Sequence, residues 1–157
     1  MKKLMQIELK PYARERCHEM YKTYQPDPMM TNDEFTYQVE SIDKYFDLKV
    51  MDKTRVFFAI VYDDKTIGEI QLKYIDFVNR TGTLSIIIAN DEYKNSGAGT
   101  EAIQKMLSYA KKELNFKSVF ADAIHRNSRS QYVLERIGFK HLREDEKLKY
   151  YEYKIEE

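Results

Sequence analysis

The chain reads as a mixed α+β protein, a single domain over residues 1–157, with elements in the order β-α-α-β-β-β-α-β-α-β-β. Three observations predict this. Apolar residues recur with a period near two in some stretches and near 3.6 in others. Three β-rich runs lie side by side between residues 56 and 89 with only short turns between them, too short for parallel crossovers, so the sheet is mostly antiparallel. No repeat, low-complexity tract or linker divides the chain, whose 157 residues suit one core rather than two.

Gln6 to Lys10 is the first strand, ended by Pro11. Residues 13–24 form a helix with Cys17, Met20 and Tyr21 on one face, broken by Tyr-Gln-Pro-Asp-Pro at 24–28. Thr31-Asn32-Asp33-Glu34 has capping-box form, and Phe35, Val39, Ile42 and Phe46 follow at helical spacing, so a second helix is expected to begin there. Val56 to Tyr62 is a strand, Asp63-Asp64-Lys65 a turn, and Thr66 to Ile75 the hairpin partner. Asn79-Arg80-Thr81-Gly82 turns the chain into a strand at 83–89. Ala102, Ile103, Met106, Leu107, Ala110 and Leu114 recur at helical spacing, with Lys105, Lys111, Lys112 and Glu113 mostly opposite, which predicts a helix that packs on a sheet. Ser118 to Ile124 is a short strand, and Asn127 to Arg136 a short helix that Gly138 stops. Phe139 to Arg143 and Lys147 to Ile155 close the chain as a hairpin.

Basic and acidic side chains balance at 26 each, so no net field favours a polyanion, and nucleic acid is not expected as a partner. Cys17 is the single cysteine, which excludes a disulfide within the chain and any multi-cysteine metal site. His18, His125 and His141 lack paired ligand spacing and read as structural, so no metal is expected. The N-terminal segment meets a charge every few residues, and no apolar stretch approaches the ~20 residues that span a bilayer. A cytoplasmic protein without a membrane partner is the expectation, with a homodimer as its expected assembly option.

The most informative stretch runs from Leu84 to Ala102: a buried-looking strand, a polar turn holding Gly97 and Gly99, then a helix start. Glycines let backbone N–H groups approach a phosphate, and the helix dipole adds about half a positive charge at its mouth. A plain strand-to-helix turn that needs glycine for its geometry is the competing reading.

Two motifs add context. Lys94-Asn95-Ser96-Gly97-Ala98-Gly99 resembles the Arg/Gln-x-x-Gly-x-Gly/Ala turn of the GCN5-related N-acetyltransferases (GNAT), with Lys in the first place. Asn127-Ser128-Arg129-Ser130, continuing to Gly138-Phe139, is similar to the Asn-x-x-Ser…Gly-Phe helix of that family's ribosomal-protein N-terminal acetyltransferase-like branch. The resemblance covers residues 55 to 155. It implies a sheet splayed at its centre, with acetyl-CoA lying in the gap as co-substrate. It further implies that Ile86, Ile87 and Ile88 offer backbone groups to the pantetheine amides, and that the N–H groups of Asn95, Ser96, Gly97, Ala98, Gly99 and Thr100 hold the pyrophosphate. Asn127 would contact the pantetheine arm, although an Asn at that place is equally a helix N-cap.

Acetyl transfer to an amine needs a neutral amine, a polarised thioester carbonyl and a proton for the departing thiolate. Many family members supply that proton from a tyrosine seven residues beyond the asparagine; here that position is Leu134. Ser130 matches a serine proposed for this role in the resembling branch and is the candidate acid, with close packing on the sheet as its other reading. Tyr132 lies about two thirds of a turn away and faces elsewhere. The strand glutamate that often serves as general base is replaced by Thr83 and Ser85, which leaves Glu69 on the neighbouring strand as candidate base, or else as a residue in water. Asp91 and Glu92, next to the expected phosphates, are weaker candidates.

The acceptor is read as a primary amine, carried by a small molecule, a polyamine, an antibiotic or a peptide N-terminus. Residues 25–48 carry Asp27, Asp33, Glu34, Glu40, Asp43 and Asp47 against Lys44 alone, a stretch that would draw a cation or simply face water. Tyr24, Gln25 and Asp27, in the break between the first two helices, are the candidate acceptor contacts. Two other readings compete: a non-catalytic acetyl-CoA sensor, and a nicotinamide oxidoreductase using Gly97-Ala98-Gly99-Thr100-Glu101-Ala102 with Asp122 downstream. Too little chain follows that turn for repeated βαβ units.

Overall fold

The computed structural model describes residues 6–155. In chain order these form β1 (Glu8–Pro11), α1 (Arg14–Lys22), α2 (Val39–Tyr45), β2 (Val56–Tyr62), β3 (Lys65–Asp76), β4 (Thr81–Ile88), α3 (Ala98–Lys112), β5 (Ser118–Ile124), α4 (Ser128–Ile137), β6 (Lys140–Glu144) and β7 (Leu148–Lys154). A π-helical turn, Phe46–Val50, extends α2, and a 3-10 turn, Asp91–Tyr93, precedes α3. The expected element order therefore holds. The strands make one sheet ordered β1-β2-β3-β4-β5-β7-β6, antiparallel at every seam except that between β4 and β5. A doubly wound parallel sheet, which the nicotinamide reading requires, is not what forms.

Period-two alternation divides each central strand between two cores. On one face Ile70, Leu72 and Leu84 pack with Ala102, Ile103, Met106 and Ala110 of α3 and Leu134 of α4. On the other, Ala59, Val61 and Ala89 meet Cys17, Met20 and Tyr21 of α1, Ile42 of α2 and Phe46 of the π-helical turn. Helices thus cover both faces. Gly138, at φ 124°, ends α4 in a conformation that L side chains rarely adopt.

The helix expected from Thr31 forms only from Val39. The Thr31 hydroxyl accepts the N–H of Asp33 at 3.0 Å, a local turn that replaces the capping box. Phe35 and Tyr37, both half-buried between exposed neighbours, then alternate as extended chain does. Phe35 packs against Tyr21 and Tyr24, and the Tyr37 hydroxyl meets His18 Nδ1 at 2.7 Å. Tertiary contacts to α1 outweigh the local helical period.

The parallel seam is short. β4 and β5 pair only through Thr81–Thr83 and Ser118–Phe120, while β4 runs on to Ile88 and β5 to Ile124. Phe116 packs against Gly82 at the closed end, where a Cβ would come within 2.8 Å of its ring. Beyond that the strands diverge, and the splay implied by the family resemblance is present. At the far edge β6 is exposed along its whole length, and its register with β7 slips between His141 and Arg143, leaving Leu142 bulged.

Candidate active site

The fork between β4 and β5 opens into a cavity of about 510 Å³. Its walls are Leu84 to Ile88 of β4, Ala121 to Ile124 of β5, the turn before α3, and the first turns of α3 and α4. Leu84 belongs to the core under α3, whereas Gln71, Lys73 and Ser85 lie on the opposite face by strand alternation, so the cavity passes through the sheet. A molecule held on the α3 side can be met from the other.

Gly97 holds φ 85°, the left-handed conformation that glycine adopts without cost, and starts α3 as its N-cap. Gly99 has a different reason to be glycine. A Cβ there would meet nothing within 4 Å, because it would project into the cavity that Gly99 lines. The Ser96 hydroxyl donates to the Tyr93 carbonyl at 2.6 Å and accepts the Ala98 N–H at 3.3 Å. Neither Ser96 nor Ala98 lines the cavity, and Ala98 is packed in the core under α3. The N–H groups of Asn95, Ser96, Gly97, Gly99 and Thr100 have no acceptor among the described residues. Orphan N–H groups at a helix N-terminus, beside open space and a lysine, suit a diphosphate. The pyrophosphate of acetyl-CoA fits this chemistry.

Asn127 both caps α4 and lines the cavity: its Oδ1 accepts the Ser130 N–H at 3.1 Å while its Nδ2 meets no described acceptor. Ser130 lines the cavity with a hydroxyl that has no partner among the described residues. Leu134, where a tyrosine would stand in many relatives, is buried against the same cavity. Tyr132 is exposed, and its hydroxyl accepts from Arg136 at 2.7 Å, as its helix position predicts.

Of the three candidate acceptor contacts only Asp27 lines the cavity. Tyr24 packs between Tyr21 and Phe35, and the Gln25 N–H donates to the Ala89 carbonyl at 2.7 Å. Asp27 Oδ1 accepts the Met29 N–H at 2.9 Å, and Oδ2 lies 3.2 Å from Lys94 Nζ and 3.8 Å from Arg129 Nη1. Burial works against ionisation of Asp27, but the Met29 N–H and the two cations outweigh it and hold the carboxyl below its ordinary range. The acidic stretch is less of an attractor than its composition suggests. Asp43 is paired with Arg14 at 3.1 Å and His18 at 2.8 Å, and Asp47 with Arg14 at 2.6 Å.

Glu69 is not in water. It is 2% exposed, its Oε1 accepts from the Tyr12 hydroxyl at 3.0 Å and its Oε2 from that of Tyr45. Burial pushes its carboxyl above the usual range despite hydrogen bonds from Tyr45, Tyr21 and Tyr12. Burial, followed by the Glu69 charge, likewise raises the phenols of Tyr12, Tyr21 and Tyr45, and burial lifts the Cys17 thiol to about 12. Glu69 does not line the cavity, but Ile87, its cross-strand partner, does. Sequence reasoning missed the Asp27–Lys94–Arg129 cluster and this tyrosine cage; neither has a local signal, since their members lie far apart in the chain.

The family model for the acetyltransferase (GNAT) domain matches residues 6–140. YdaF of Bacillus subtilis (strain 168), a protein named as a ribosomal N-acetyltransferase, is 37% identical over 81 residues. That match covers 52% of this chain and 44% of YdaF, so less than half the relative's length is spanned. The fold is similar to that of spermidine N-acetyltransferase from Vibrio cholerae in complex with CoA and spermine, with a TM-score of 0.79 and 19% identity over 95% of each chain. A dodecameric structure of the Vibrio cholerae enzyme gives a TM-score of 0.72 at 18% identity, covering 95% of this chain and 94% of that one.

Proposed function

The chain belongs to the acetyltransferase (GNAT) domain family, whose N-acetyltransferases take acetyl-CoA as co-substrate, and on that premise we propose that it moves an acetyl group directly onto a primary amine. The observation that carries this reading is the fork: a passage through the sheet lined at one end by Asn95, Gly97, Gly99 and Thr100, whose N–H groups have no acceptor among the described residues, and by a polar face at the other. Acetyl-CoA supplies an activated thioester, and transfer to a neutral amine requires one proton lost by the amine and one gained by the thiolate. The turn from Asn95 to Thr100 binds the diphosphate, while the backbone of Ile86 to Ile88, unpaired toward β5, and Asn127 Nδ2 hold the pantetheine amides. The Ser130 hydroxyl, free in the cavity wall, relays a proton to the thiolate, giving its own as it takes one from solvent water in the cavity. Glu69 is the candidate proton acceptor; since its oxygens are held by tyrosines, a proton reaches it through a phenol or a water beside Ile87.

The acceptor class is a primary amine: a polyamine, a small metabolite, an antibiotic or a peptide N-terminus. YdaF's name favours the last, and the spermidine enzymes' likeness in fold supports the first no further than the fold goes. A cytoplasmic setting and a homodimer remain part of this reading. Among the described residues no helix is long and apolar enough to cross a membrane.

The test is purified protein with acetyl-CoA and a panel of amines, with free thiol release followed alongside thermal shift by acetyl-CoA, CoA and NAD. Thiol release with an amine, and a Tm raised by acetyl-CoA but not by NAD, is the expected result. Leu134 in the place of the usual phenol favours a second reading, a sensor that binds acetyl-CoA without turnover; binding with no thiol release from any amine would establish it.

A further inference from the structure

The cavity's charges are arranged across it. Lys94 leads into α3 on one wall, and Arg129 stands in the first turn of α4 on the other. Asp27, from the break after α1, reaches between them, with Oδ2 at 3.2 Å from Lys94 and 3.8 Å from Arg129. The Asp27 and Lys94 side chains are only 13% and 10% exposed, so this is a largely desolvated contact rather than a surface pair. Lys94 also adjoins the unspent N–H groups of the glycine turn and lies 3.3 Å from Asp91, whose side chain is 90% exposed. Everything around the turn is thus ready for an anion, and the anion in place is the protein's own carboxylate.

We propose that Asp27 is a shared counter-ion: it pairs with Lys94 and Arg129 in the cavity wall, yields both cations to the cofactor's phosphates, and then serves as the carboxylate that binds the acceptor's ammonium. This rests on the acetyl-CoA reading given above. Electrostatics require the exchange. A diphosphate at the turn carries more charge than a carboxylate and draws the same lysine, and Asp27, stripped of its cations within a partly buried wall, is left short of positive charge. A cationic amine restores it. The coupling is positive and reciprocal, because whatever restores charge to Asp27 favours the phosphate-bound arrangement.

Asp27→Asn separates the two halves by sign. An amide oxygen still accepts the Met29 N–H, which keeps the turn, but no longer competes for the cations. Calorimetry with CoA, which needs no turnover, is expected to give a Kd lower by about fivefold or more, while KM rises by about fivefold or more for the amine that gives the fastest thiol release in the panel. A residue that merely braced the loop would weaken both or neither. The gain in CoA affinity should disappear in a Lys94→Met, Arg129→Met background, where no cation is left to contest. Unchanged or weaker CoA binding by Asp27→Asn overturns the proposal, as does tighter CoA binding with an unmoved amine KM. Asp27→Ser, whose hydroxyl can also accept from Met29, provides the same comparison should the Asn variant fold poorly. Wild-type protein that binds no CoA would instead bring down the acetyl-CoA reading itself, a result read before any variant is made.

Discussion

Two clusters of polar groups, one buried and one half-exposed, sit within one strand of each other and differ in how far the fold itself satisfies them. Around Glu69, the Tyr12 and Tyr45 hydroxyls take up both carboxylate oxygens, and no polar side-chain atom buried there lacks a partner. Around the turn before α3, five N–H groups have no acceptor among the described residues, four of them on residues that line the cavity. A closed cluster is consistent with a group wired into the fold, whereas an open one, held so by a left-handed glycine and a second glycine with room beside it, is consistent with a partner supplied from outside. The comparison separates groups already satisfied within the fold, Glu69 among them, from groups left without a partner.

The sharpest way to break the contrast is Ser130→Ala. If the open side is where chemistry happens, kcat falls by about 10² while CoA affinity stays within about twofold, measured by steady-state kinetics and calorimetry. Near-normal kcat at saturating amine would return Ser130 to packing. Next in size is Gly99→Val, which places a branched side chain where the diphosphate must approach and should weaken CoA binding on the order of 30-fold. Because a Cβ there meets no neighbour, Tm without ligand should hardly move, so a loss of binding cannot be ascribed to unfolding.

The closed side is probed by Glu69→Gln and pH. A carboxyl raised above its ordinary range in the folded state contributes stability that is full at low pH and is lost as pH rises through the raised value. The Gln variant has no charge to bury, so the wild type should lose stability relative to it as pH rises above the ordinary carboxylate range, read as a wild-type Tm that falls relative to the variant's. A pH-independent difference would mean that folding leaves the carboxyl's proton affinity unchanged, and a wild-type Tm that rises relative to the variant's would mean that the cage stabilises the ionised form. The smallest effect is expected from Asp43→Asn. Its carboxylate is already claimed by Arg14 and His18 at the surface, so Tm should hardly move and amine KM should stay within twofold. A rise in KM would restore the acidic stretch as an attractor.

Much of this was legible in the sequence where the signal was local. The strands at 56–62 and 118–124 have the expected bounds, because a run of β-branched and aromatic residues between turns needs no tertiary information. The glycine turn was legible for the same reason. The segment from Thr31 to Gln38 was not, since the same threonine that could cap a helix closes a two-residue turn once Phe35 has a place against Tyr21. Nor was the state of Glu69 or Asp27. The Glu69 cage draws on residues 12, 45 and 69 and the cation bridge on 27, 94 and 129, and no window along the chain joins them.

The slipped register of β6 has a bearing on how the protein keeps its own company. Every residue of that outer strand faces solvent, four of its five are Lys, His, Arg or Glu, and the bulge at Leu142 throws its free N–H and C=O groups out of line. The opposite border is four residues long and ends in Pro11, which has no N–H to offer. Neither rim offers a long, regular row of strand groups to a neighbour, so a crowded solution of this enzyme is shielded from edge-to-edge fibril growth.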